Sequence, residues 1–79
     1  MKVTVRLYAT LAGYNPEGTG NQPFTVDLPE GSAVNDLVNH LGVEVGAVKH
    51  VFIGHKRRSF DYRLSDGEEV ALFPAIAGG

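Results

Sequence analysis

The chain opens with Lys2-Val3-Thr4-Val5-Arg6-Leu7-Tyr8, where Val3, Val5 and Leu7 fall on one side of an extended backbone and Lys2, Thr4 and Arg6 on the other. This alternation predicts a half-buried strand. From Ala12 to Pro23 three glycines and two prolines interrupt any periodicity, which predicts a mobile loop. Phe24-Thr25-Val26-Asp27-Leu28 alternates again and predicts a second strand facing the same core, the two forming a long-looped hairpin. Pro29-Glu30-Gly31 breaks it, and Ser32 stands at the expected N-cap of a helix whose apolar stripe is Val34, Leu37, Val38 and Leu41. Asp36 early, His40 late and Gly42 just beyond suit the helix dipole and a glycine stop. Val43 to Lys49, with Gly46 in its middle, reads as an irregular connection. His50-Val51-Phe52-Ile53 predicts a strand ending at Gly54, and His55 to Phe60 a short returning strand with a basic tip. Asp61 to Arg63 reads as loop, Ser65-Asp66-Gly67 as a turn, and Glu69 to Phe73 as a last strand ended by Pro74. The order suits an α+β fold: a mixed sheet of four or five strands with one main helix across a single face.

Composition narrows the functions open to such a fold. Seventy-nine residues hold one core, here expected over 1–74 with 75–79 as a flexible tail. A domain this small buries only about 60% of its unfolded surface, which disfavours a deep catalytic pocket. The absence of cysteine excludes disulfides, thiolate metal sites and a cysteine nucleophile. Seven Lys+Arg against nine Asp+Glu give a net charge of −2, which offers no general attraction for nucleic acid or anionic membrane. No apolar run has the length of a membrane helix, so a cytoplasmic protein is the default expectation. His40, His50 and His55 match no zinc spacing, and no metal site is expected. Asp66, Glu68 and Glu69 flank a glycine turn and read as solubilising charge rather than an acid–base pair. The glycines of the first loop lack the Lys-Ser/Thr of a phosphate cradle.

After Pro74 the sequence runs Ala75-Ile76-Ala77-Gly78-Gly79. At an average glycine usage of about 7%, two closing glycines would occur by chance in roughly 0.5% of chains. Glycine has no Cβ, so Gly78 and Gly79, with slim Ala77 before them, suit a tail threaded through a narrow channel. At its tip Gly79 would present an unbranched carboxylate. ATP can convert a carboxylate to an acyl-adenylate, which a sulfur donor or an amine can then attack. The expectation is that the tail is the reagent and the folded body its handle.

The segment from Leu64 to Gly79, LSDGEEVALFPAIAGG, is similar to the C-terminal signature of the MoaD/ThiS ubiquitin-like sulfur-carrier family. The Phe73-Pro74 pair, Ser59-Phe60-Asp61 and the opening Leu7-Tyr8-Ala9 resemble most closely the small subunit of molybdopterin synthase. The resemblance implies a β-grasp fold with first and last strands parallel and adjacent. It also implies a protein that is no enzyme alone: Gly79 is adenylated with ATP by a ubiquitin-activating-type (MoeB/ThiF-like) adenylyltransferase, then converted to a thiocarboxylate. That sulfur would pass to a pterin in the active site of a MoaE-like large subunit, with no tightly bound cofactor on this chain. The alternative is a ubiquitin-like modifier joined to lysines through the same glycine. Phe73 and Tyr8 match aromatic positions that the family uses against partners, and Ile76 is expected among the partner-binding residues. Alternation agrees for Phe73, which lies outward if Val70 and Leu72 point inward, although an ordinary half-covered strand residue would do the same. Lys56-Arg57-Arg58 departs from the family's less basic pattern. Those residues pair with acidic groups of a partner, form a solvated hairpin tip, or make a basic RNA contact, the last disfavoured because one trio in an acidic chain neutralises few phosphates.

Overall fold

The computed structural model describes residues 1–75. Five strands, β1 (Lys2–Leu7), β2 (Phe24–Asp27), β3 (Val48–Ile53), β4 (Lys56–Arg57) and β5 (Glu69–Pro74), form one sheet in the order β2-β1-β5-β3-β4. The central pair β1 and β5 is parallel and every other pair antiparallel, as the resemblance implies. Among the described residues one α-helix, α1 (Val34–Leu41), packs on a single face.

The alternation read from the sequence is the alternation of burial. Val3, Val5 and Leu7 of β1 lie beneath the helix with Val70 and Leu72 of β5, and Val34, Leu37 and Val38 of α1 close over them. Burying each such side chain contributes about 1.5–3 kcal/mol, so this inner face supplies most of the driving force for folding. In β3 the pattern would fail without an irregularity. Val48 and Val51 are three apart yet both buried, because a bulge between Val48 and His50 adds one residue to that strand and resets its parity.

Three expectations need correcting. The stretch from Ala9 to Tyr14 is a 3₁₀ helix anchored by buried Leu11, so Ala12 to Tyr14 are not loop. The rest of that segment is drawn together by Asn15. Its side-chain amide donates to Thr19 Oγ1 (3.0 Å) and to the carbonyls of Gly20 (2.8 Å) and Gln22 (3.3 Å). Its carbonyl accepts from the Glu17 amide at 2.8 Å. Secondly, Ser32 is not the N-cap. Its hydroxyl donates to the Pro29 carbonyl at 2.7 Å, and Ala33 takes the cap position with its amide bound by the Asp36 carboxylate at 2.8 Å. The helix can dispense with a serine cap because its first free amides already have acceptors: Val34 donates to the Tyr62 carbonyl and Asn35 to that of Phe60, both at 3.0 Å. Thirdly, the connection before β3 contains a short 3₁₀ turn, Val45–Ala47. The helix does end at Gly42 in the left-handed region, φ 77°.

Candidate functional site

The sheet face opposite the helix carries the outward residues of the same alternation. Arg6 stands beside Ala71 in the parallel register, Phe52 opposite Ala71, and His50 opposite Phe73. Tyr8 follows β1 and remains in register, its amide donating to the Leu72 carbonyl at 3.1 Å. Strand parity therefore brings three aromatic rings together. Tyr8 stacks on Phe73 with centroids 4.4 Å apart and planes 6° from parallel, and Phe52 meets Phe73 edge-on at 5.6 Å. All three are half-buried, held by one another rather than by the core. They line a shallow groove of ≈ 480 Å³ shared with Thr4, Arg6 and His55.

Phe73 is thus on the outer face, as alternation predicts, and Tyr8 is beside it. Phe52 belongs to the same cluster, which the sequence pattern does not reveal. Its signal lay in Val51-Phe52-Ile53, where a continuous apolar run hid the alternation that the two buried neighbours create. Beyond Phe73 the chain leaves β5 at Pro74, and Ala75 is exposed. Ile76, Ala77, Gly78 and Gly79 lie outside the described residues.

Lys56, Arg57 and Arg58 are all exposed, and strand alternation parts the first two. The register sets Lys56 opposite Ile53 and Arg57 opposite Phe52, on alternate sides of the ribbon. The turn that delivers them, Gly54-His55, has φ of 54° and 77°, the two left-handed residues of a tight hairpin. The returning strand is only Lys56–Arg57, shorter than expected, although the Arg58 amide still donates to the Val51 carbonyl at 2.9 Å.

Arg58 has a partner of its own. Its guanidinium carbon lies 4.9 Å from the centroid of the Tyr62 ring. The Tyr62 hydroxyl donates to Glu68 Oε2 at 2.7 Å, and Oε1 of the same carboxylate accepts from the Ser65 amide at 2.7 Å. The hydrogen bond to Glu68 holds the Tyr62 hydroxyl above the ordinary tyrosine range; desolvation and the Glu68 charge act in the same direction, and Arg58 opposes them. No helix among the described residues is long and apolar enough to cross a membrane.

The sequence matches the family model described as Mut7-C ubiquitin over residues 1–78. No curated protein matches it. Among solved structures, SAMP1 from Haloferax volcanii is similar at 25% identity and a TM-score of 0.71, with 100% of each chain covered. A putative molybdopterin converting factor, subunit 1, from Pyrococcus furiosus is similar at 26% identity and a TM-score of 0.70, over 96% of this chain and 99% of that one. In the complex of subunits 1 and 2 of molybdopterin-converting factor from Helicobacter pylori 26695, one chain is similar at 17% identity and a TM-score of 0.63, over 100% of both; this likeness bears on the fold alone. Together these similarities establish a β-grasp, ubiquitin-like fold.

Proposed function

The chain belongs to the Mut7-C ubiquitin family, and from that premise we propose that it is a sulfur carrier working through the carboxyl group of Gly79. The observation that carries the reading is the aromatic cluster of Tyr8, Phe73 and Phe52 on the outer sheet face. It lies beside the point where the chain runs on from β5 toward Gly78 and Gly79. A half-exposed cluster of rings is the kind of surface on which a partner gains most of its binding energy. An adenylyltransferase gripping it would have the tail within reach of its own ATP.

In the proposed sequence the Gly79 carboxylate attacks the α-phosphorus of ATP, forming the acyl-adenylate and releasing pyrophosphate. A donor at the hydrosulfide level then attacks the acyl carbon and displaces AMP, leaving the thiocarboxylate. Gly78 and Ala77 keep the tail slim enough to enter both active sites. The likeness to a molybdopterin converting factor subunit 1 supports a pterin as the acceptor and a large synthase subunit as the second partner.

A second reading is favoured by the likeness to SAMP1, named in a related structure as small archaeal modifier protein 1. Here a lysine amine displaces AMP and forms an isopeptide bond. The two readings share the adenylate and differ in the nucleophile. Intact-mass measurement of the protein isolated from its own cells separates them. The sulfur-carrier reading expects a species heavier by the difference between sulfur and oxygen at Gly79, and peptides bearing the Leu64-to-Gly79 tail on lysine, released by cleavage after Arg63, support the modifier reading. A population carrying neither, in cells that make the activating enzyme, contradicts both.

A further inference from the structure

A second hollow, ≈ 400 Å³, opens at the β3–β4 edge of the sheet. Its charged lining is entirely cationic: Lys49, Arg57 and Arg58 surround an apolar floor of Val51 and Phe60. Lys49 reaches it from the bulge that resets β3, and Lys56, which the sequence groups with the two arginines, does not line it. Among the described residues none of the three cations has a carboxylate at salt-bridge distance. The nearby acids are otherwise engaged. Glu68 accepts from Tyr62 and Ser65, and Asp61 accepts from the Ser59 hydroxyl. Three exposed cations line one hollow with no carboxylate partner, so an anionic ligand meets no competing counter-ion there.

The hollow is also partly preorganised. Tyr62 is tied to Glu68 through its hydroxyl and to the helix through its carbonyl, and its ring holds the Arg58 guanidinium from one side. Fixing a long cationic side chain before binding lowers the entropy lost when it captures a carboxylate. Tyr62 is accordingly a positioning residue.

We propose that this hollow binds a short acidic segment of a protein partner, with carboxylates on Arg57, Arg58 and Lys49 and an apolar side chain on the Val51–Phe60 floor. The inference rests on the carrier reading only in supposing that a protein partner docks on the neighbouring aromatic face, to which Arg57 is linked by its pairing with Phe52. A protein ligand is preferred to a nucleic acid because the chain as a whole is acidic, at −2, so a long uniform polyanion is repelled by the rest of the surface. Carboxylates presented locally match the fork geometry of two arginines.

The test is an NMR titration of the full chain with a capped peptide of alternating glutamate and leucine. The controls are its glutamine counterpart and an oligouridylate of equal length. The expected result is saturable shifts at the Nε–H groups of Arg57 and Arg58 and the amides of Lys49 and Phe60, weakened by salt and absent with the glutamine peptide. Arg57→Gln combined with Arg58→Gln should lower the affinity on the order of tenfold, the sum of two modest exposed pairs. Tyr62→Leu should lower it less while broadening the Arg58 signal. Shifts elsewhere, no shifts, or tighter binding of the oligouridylate at the same residues would overturn the proposal. Because the titration does not use Gly79, it can fail while sulfur transfer succeeds, and the reverse.

Discussion

Replacing Phe73 by alanine removes the ring at the centre of the outer cluster, and the structure sets the size of the effect. Phe73 makes one stacked contact, with Tyr8, and one edge-on contact, with Phe52. Each such pair contributes about 0.5–1.5 kcal/mol beyond area burial, so losing both costs roughly 1–3 kcal/mol before the lost burial of the half-covered ring is added. For a domain of this size that corresponds to a fall in Tm of roughly 4–24 °C. The variant stays folded at room temperature if total stability is in the usual range of about 5–15 kcal/mol. A double-mutant cycle isolates the stacking itself. Tyr8→Ala, Phe73→Ala and the pair, measured by urea unfolding, should show a coupling energy of about 0.5–1.5 kcal/mol. Phe73→Leu keeps much of the apolar area but not the ring, and should recover part of the stability without recovering partner binding. A coupling below about 0.3 kcal/mol, the usual error of additivity, would mean that the two rings do not form one rigid surface and would remove the basis for a docking site there.

Tyr62→Phe bears on alkaline stability. A tyrosine whose pKa is raised by folding contributes stability that is present below the unfolded value of about 10 and is lost as pH rises through the folded value. Wild type should therefore lose Tm more steeply than Tyr62→Phe above roughly pH 10, and parallel curves would contradict the Glu68 hydrogen bond. Asn15→Ala removes the hydrogen bonds that gather the first loop and should cost about 1–2 kcal/mol, with faster amide exchange at Glu17; unchanged exchange would show that the loop is ordered by something else. Gly42→Ala forces a side chain into the left-handed region at φ 77° and should cost about 1 kcal/mol by thermal unfolding, against no change if the helix end relaxes.

The sheet was legible because strands with one buried face announce themselves by alternation, and β1, β2 and β5 do so without a break. What was hidden depends on contacts between distant segments. Leu11 alone anchors the first 3₁₀ helix, and one buried residue makes no period. Ser32 has the chemistry of a cap, but the helix amides it would serve meet the Tyr62 and Phe60 carbonyls, far away in sequence. The aromatic site was half visible: Phe73 followed from Val70 and Leu72, whereas Phe52 was masked by the buried residues on either side of it. The basic tripeptide divides in space in a way its sequence does not show. Adjacent residues on a strand point apart, so the sequence neighbour Lys56 is lost from the hollow and the distant Lys49 is gained through a bulge that no local pattern foretells.

The claim that matters most is that chemistry occurs at Gly79. The direct measurement is the intact mass of the purified chain after incubation with a ubiquitin-activating-type adenylyltransferase, ATP and a sulfur donor. Conversion of the Gly79 carboxylate to a thiocarboxylate, dependent on ATP and abolished when Gly78 and Gly79 are deleted, is the result expected here. A chain whose mass stays the same although the enzyme charges its established substrate in the same tube would contradict it.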